Sequence, residues 1–158
     1  MTLLRGTNLV IDTIQAKRNV ISGLGATRTL NENESGSVIL LDKVDGITVT
    51  LPASATPGTW FDFVVSETLT SSAYKIITAV GTELLVGQIL GCDTDTSNAT
   101  LVWPALVGSS YIAVGMNKTT TGGIKGDSFR FTKLNSTTWS VIGNTNNNGT
   151  VATPFSAS

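Results

Sequence analysis

The segment Ile47-Thr48-Val49-Thr50-Leu51 alternates apolar and polar residues without a break, and similar short β-prone runs recur along the chain, each stopped by turn-forming residues. Alternation with period two places every second side chain on one face, which suits a half-buried strand and cannot make the apolar stripe of a helix. Ile47, Val49 and Leu51 therefore share one face, as do Phe61, Phe63 and Val65 in the run Trp60 to Val65. Val38-Ile39-Leu40-Leu41 leads through Asp45-Gly46, a strong tight-turn pair, into residues 47–51, so the pattern predicts a hairpin there. Pro52 and Pro57-Gly58 end it. Tyr74 to Ala79, Glu83 to Val86, Ala99 to Trp103 and Ser110 to Met116 continue the series at the spacing of roughly ten residues expected of a sandwich or barrel. A last hairpin is predicted from Asp127 to Leu134, with Phe129 and Phe131 on one face, a turn at Asn135-Ser136-Thr137, and Trp139 and Val141 on the returning strand. Strands do not alternate with helical patterns, so the expected fold is all-β, an antiparallel β-sandwich or barrel.

A chain of 158 residues suits one domain that hides roughly 70% of the surface its unfolded form exposes. Thr, Ser, Gly, Asn and Val dominate, and long straight helix formers are few. Three segments are expected. Residues 1–17 form an extended N-terminal arm, because Leu3-Leu4, Val10-Ile11 and Ile14 are apolar but follow neither strand nor helix periodicity and carry no cap signal. Residues 18–143 form the sandwich or barrel. Residues 144–158 form a polar C-terminal tail, since Asn144-Thr-Asn-Asn-Asn-Gly-Thr150 is low in complexity.

Charge and hydropathy narrow the function classes. Only 13% of residues are charged and the net charge is -1, and the ten basic residues are scattered, so no basic stripe is available for a phosphate backbone and no nucleic-acid partner is expected. Mean hydropathy is +0.21, yet every apolar run falls short of the ~18 residues of a membrane-spanning helix, and no membrane partner is expected. The start Met-Thr-Leu-Leu-Arg lacks the features of a secretory signal, which implies synthesis in a cytoplasm. Cys92 is alone and closes no intramolecular disulfide. So little charge on a fairly apolar chain suggests that neighbours cover some of the surface, and an oligomer is expected.

Catalytic and ligand motifs mostly fail on their own chemistry. The chain has no histidine, which removes Ser-His-Asp and Cys-His arrangements and the usual ligand of zinc and iron sites. Ser72-Ala73-Tyr74-Lys75 matches an S-x-x-K pattern that needs both residues on one helical face, but it enters a β-prone run that sends them to opposite faces. Gly23-Leu24-Gly25 opens a partial G-x-G-x-x-G whose sixth position is Arg28, with no helix following to meet a pyrophosphate. Asp93-Thr94-Asp95-Thr96-Ser97 resembles the first half of a calcium loop, but Asn98 and Pro104 stand where glycine and glutamate are required. Asp42/Asp45 and Asp93/Asp95 sit in turn contexts rather than across a cleft. The sequons at Asn98, Asn117, Asn135 and Asn148 follow from a chain rich in Asn and Thr. Trp60, Trp103, Tyr111 and Trp139 fall in strand patterns, where core packing is favoured over a sugar-binding platform. No enzyme activity, no cofactor and no metal site are expected.

Several of these runs together resemble a segment recurrent in virion structural proteins of tailed bacteriophages. The residues that carry the likeness are Leu30-Asn-Glu-Asn-Glu-Ser35-Gly36, Ile39-Leu-Leu-Asp42, Gly46-Ile-Thr-Val-Thr-Leu51-Pro52, Gly58, Phe61-Asp-Phe63-Val-Val65, Thr70-Ser71 and Tyr74-Lys-Ile76. Gly126-Asp127, Phe129 and Trp139-Ser-Val-Ile-Gly143 look like the closing hairpin of the same modules. The resemblance spans roughly residues 18 to 143 and implies a β-rich domain, commonly trimeric, seated on a capsid or fibre. The chain is short and has no repetitive shaft, which favours a capsid decoration (cement) protein over a tail fibre. The expected partners are a major capsid protein and two further copies in a homotrimer on the virion surface. Leu3, Leu4, Val10, Ile11 and Ile14 of the arm are the capsid-contact candidates. The alternative is a receptor-binding or adhesin module of a tail or head fibre that recognises a cell-surface glycan.

Overall fold

The computed structural model describes residues 18–95 and 99–158. Among these, twelve strands form two sheets: β1 (Val20–Ile21), β2 (Thr27–Thr29), β3 (Val38–Leu41), β4 (Ile47–Thr50), β5 (Trp60–Val65), β6 (Tyr74–Ile77), β7 (Leu84–Asp93), β8 (Thr100–Ala105), β9 (Ala113–Met116), β10 (Ser128–Asn135), β11 (Thr138–Asn147) and β12 (Phe155–Ser156). One sheet has seven strands in the order β1-β3-β5-β10-β11-β7-β8, and the other five in the order β12-β9-β6-β4-β2. The all-β sandwich expected from the alternation is present.

The sheets are mixed rather than purely antiparallel. Through its first half the chain crosses between them with every connection, so each return to a sheet lays a strand parallel to its predecessor: β1 beside β3 beside β5 in the larger sheet, β2 beside β4 beside β6 in the smaller. The hairpin expected around Asp45-Gly46 is therefore an arch. β3 and β4 face each other across the core, with Ile39 and Leu41 on one side and Ile47 and Val49 on the other, all fully buried. Gly46 has φ +93°, and a Cβ there would lie 2.3 Å from the carbonyl oxygen of Ala73. Glycine serves the close approach of the chain just ahead of β6 as well as the turn. A tight-turn signal reports a reversal of the chain and does not say whether the next strand pairs or arches over.

The hairpin predicted at the C-terminal side is present. β10 and β11 pair from Ser128↔Asn144 to Asn135↔Thr138, and the Asn135 side chain accepts the Thr137 N–H at 2.9 Å, an Asx turn that closes the loop. Phe129, Phe131, Trp139 and Val141 point inward, where Phe63 meets Phe131 edge-on with centroids 5.4 Å apart and Phe61 lies against Trp139. These aromatics, with Tyr74, Ile76, Val114 and Met116 from the smaller sheet, form the single core.

The division at residue 143 is corrected. β11 continues to Asn147, in register with β7 as far as Asp93, and β12 pairs with β9 through Phe155↔Val114. Phe155 is buried and stacks on Tyr111 at 5.5 Å. The polar stretch joins the sheet because ladder hydrogen bonds come from the backbone, which polar side chains leave untouched. The arm residues Leu3, Leu4, Val10, Ile11 and Ile14 lie outside the described residues.

Candidate functional site

The two outward sheet faces differ sharply. The smaller sheet turns Thr48, Thr50 and Lys75 to solvent, an ordinary wetted surface. The larger sheet turns out a field of aliphatic side chains. Cross-strand register sets Val38 beside Asp62, Asp62 beside Arg130, and Arg130 beside Ile142. The next row holds Leu40, Val64, Ser128, Asn144, Leu90 and Val102. Ile142 is 60% exposed, Val20 54% and Val102 52%. A groove of about 590 Å³ runs over this face, lined by Arg18, Val38, Asp62, Val64, Leu90, Arg130 and Ile142 among others.

Charge on this face, among the described residues, is confined to one cluster. Asp62 on β5 accepts two hydrogen bonds from Arg130 on β10, Nε at 2.6 Å and Nη2 at 2.8 Å, and a third from Arg18 Nη1 at 2.5 Å. Two guanidiniums share one carboxylate, so the cluster carries a net positive charge. The hydrogen bond from Arg130 chiefly holds the Asp62 carboxyl below its ordinary pKa, with Arg18 adding to the effect against the opposing cost of burial. Both guanidiniums also lie over the Trp60 ring, each 4.6 Å from its centroid, a cation–π arrangement. Arg18 also donates through Nε to the carbonyl of Gly36 at 3.1 Å. It is the first described residue and lines this groove.

The four aromatics expected in the core divide. Trp139 is fully buried and Tyr111 is half-buried against Phe155. Trp60 lies on the outer face, its ring occupied by guanidiniums rather than open to a sugar. Trp103 is partly buried against the core, and its Nε1 has no hydrogen-bond partner among the described residues.

The remaining motifs do not assemble sites. Ser72 is in a turn with φ +60° while Lys75 lies within β6. Gly23 donates its N–H to Asp42 at 2.5 Å, and strand β2 follows rather than a helix. Asp45 accepts from Lys43 and Ser71, a turn role, and the hydrogen bond from Lys43 lowers its pKa. Asp93 and Asp95 line a second groove of about 450 Å³, and no cluster of three or more metal-ligating side chains occurs among the described residues.

Sequence reasoning missed two buried polar centres. Lys133 and Glu83, 1% and 3% exposed, form an ion pair, and Trp139 Nε1 donates to Glu83 at 3.3 Å while Lys133 lies 5.0 Å from the ring centroid. Asp127, fully buried, accepts the N–H groups of Gly123, Ile124 and Asn146 at 2.8, 3.1 and 2.7 Å, and the Asn146 amide at 2.8 Å. Burial raises the Asp127 pKa in spite of these bonds. Both centres are sealed from solvent and tie strands or loops together. A lysine at an inward position of β10 is the sequence signal for the first, whereas Asp127 reads in the sequence only as the start of a strand.

The chain matches no family model, no curated protein and no solved structure.

Proposed function

We propose that the chain is a non-enzymatic capsid decoration (cement) protein, which attaches as a homotrimer to the major capsid protein on the outer surface of a tailed-phage head and stabilises it. The observation that carries this reading is the outward face of the seven-stranded sheet, where Val20, Leu90, Val102 and Ile142 are exposed among Gln88, Ser128 and Asn144 and where charge, among the described residues, is confined to Arg18, Asp62 and Arg130. A rigid sheet face of that composition is costly to leave in water and suits a broad protein contact. The arm adds to it: Leu3, Leu4, Val10, Ile11 and Ile14 supply apolar area in a segment whose sequence is too irregular to build a core of its own. The glycan-binding alternative is weaker, because Trp60 lies under guanidiniums, Trp139 is buried and Tyr111 stacks on Phe155, leaving only Trp103 as a platform.

The test is attachment of the purified protein to undecorated heads, with the mass of the free protein measured alongside. Saturable binding of a trimer at a symmetry-related copy number is expected, and removal of residues 1–17 abolishes it while the circular dichroism of the domain is retained. A free monomer that ignores heads but is held by host cells or glycans overturns the proposal.

A further inference from the structure

Resting on the decoration reading, we infer that the outward face of the seven-stranded sheet is the surface that meets the capsid, and that the Arg18–Asp62–Arg130 cluster at its centre receives a carboxylate of the major capsid protein set among apolar side chains.

The charge of the cluster selects the partner. Arg130 spends Nε and Nη2 on Asp62, which leaves its Nη1 edge for another acceptor, and its side chain is 53% exposed. Asp62 already holds three hydrogen bonds, so it has little left to offer a cation. Both guanidiniums lie within cation–π distance of the Trp60 ring, each 4.6 Å from its centroid. A fixed, part-dehydrated guanidinium in apolar surroundings is a strong receptor for a carboxylate, because its planar fork loses little freedom on binding.

The same charge argues against other occupants. A second copy laid face to face brings one cationic cluster against another, which costs free energy in a contact that excludes water. The chain's own arm is also a poor match: its side chains carry Arg5 and Lys17 against Asp12 alone, so it too is cationic. The arm's sequence and the face instead call for the same acidic partner, and Arg18, which follows the arm in sequence, lines the groove.

Strands spaced about 4.8 Å apart make a face of seven strands about 29 Å wide, and strand lengths near 17 Å give it roughly 500 Å². That is more than half of the roughly 800 Å² per side of a typical stable interface.

The experiment compares head attachment of the wild-type chain with three single variants, each first shown to melt as the wild type does: Ile142→Glu and Arg130→Ala on the face, and Val107→Glu on the loop after β8, outside the strands of the face, where Val107 is 93% exposed. Ile142→Glu is expected to weaken attachment by roughly tenfold or more. Arg130→Ala weakens it and flattens its dependence on salt, while Val107→Glu binds as the wild type. Wild-type binding at the level of both face variants overturns this inference and leaves the decoration reading standing. A wild-type chain that does not attach to heads overturns the decoration reading itself. A change in the free oligomer's mass on Ile142→Glu makes the face a contact between copies and also overturns the inference.

Discussion

Lys133 and Glu83 form a buried ion pair whose single loss the domain tolerates poorly. Removing one partner of a buried ion pair leaves the other charged in a medium that cannot solvate it, at a cost of about 3–5 kcal/mol. Glu83→Ala also leaves the indole N–H of Trp139 without its acceptor. Chemical denaturation followed by tryptophan fluorescence should show that loss for either single variant, and a Lys133→Met, Glu83→Leu double variant should recover most of it. Two aspartates give stability opposite dependences on pH. The folded pKa of Asp62 lies below its ordinary 3.8, so its contribution is complete above that pH and is lost as pH falls through the folded value. Asp127 has a folded pKa above 3.8, so it favours the fold most below 3.8, and that contribution disappears as pH rises through the raised value. Comparing melting temperature against pH for wild type and Asp62→Asn should show the acid-side loss flattened in the variant.

At the scale of elements, the arch between β3 and β4 is the feature that makes the first half of the molecule parallel. Gly46→Ala forces a side chain into a left-handed conformation and against the Ala73 carbonyl, and it should cost at least about 2 kcal/mol. A solvent-exposed hairpin turn would lose stability only through the left-handed conformation, without the clash against Ala73. β12 is an element of the fold rather than a tail, although it has only two residues. Phe155 closes the core against Tyr111 and Val114, and Phe155→Ala should lose about 3 kcal/mol, whereas truncation of a free tail would be neutral.

For the molecule as a whole, the topology predicts slow folding. β7 and β11 lie parallel with Leu84 opposite Thr138, so the intervening chain must be closed into a loop before that ladder pays back any hydrogen bonds. Folding dominated by such non-local pairings runs in roughly milliseconds to seconds, and stopped-flow refolding monitored by the buried Trp139 should show its main phase in that range. The same strand order brings Val38, Asp62, Arg130 and Ile142 side by side on the large sheet's outward face.

The sequence by itself determined the class of fold and most of the inward side chains. Ile47, Val49, Phe61, Phe63, Phe129, Phe131, Trp139 and Val141 are buried as their alternation requires, because period two is a local property written residue by residue. Pairing partners, the parallel sense of half the ladders, the recruitment of the Asn-rich segment into β11, and the burial of Lys133 were decided only by the tertiary structure. Each depends on which backbone or charge arrives from a distant part of the chain. The outer face shows the limit most clearly: Val38, Asp62, Arg130 and Ile142 are scattered over more than a hundred positions and carry no shared motif. Cross-strand register alone turns them into one surface.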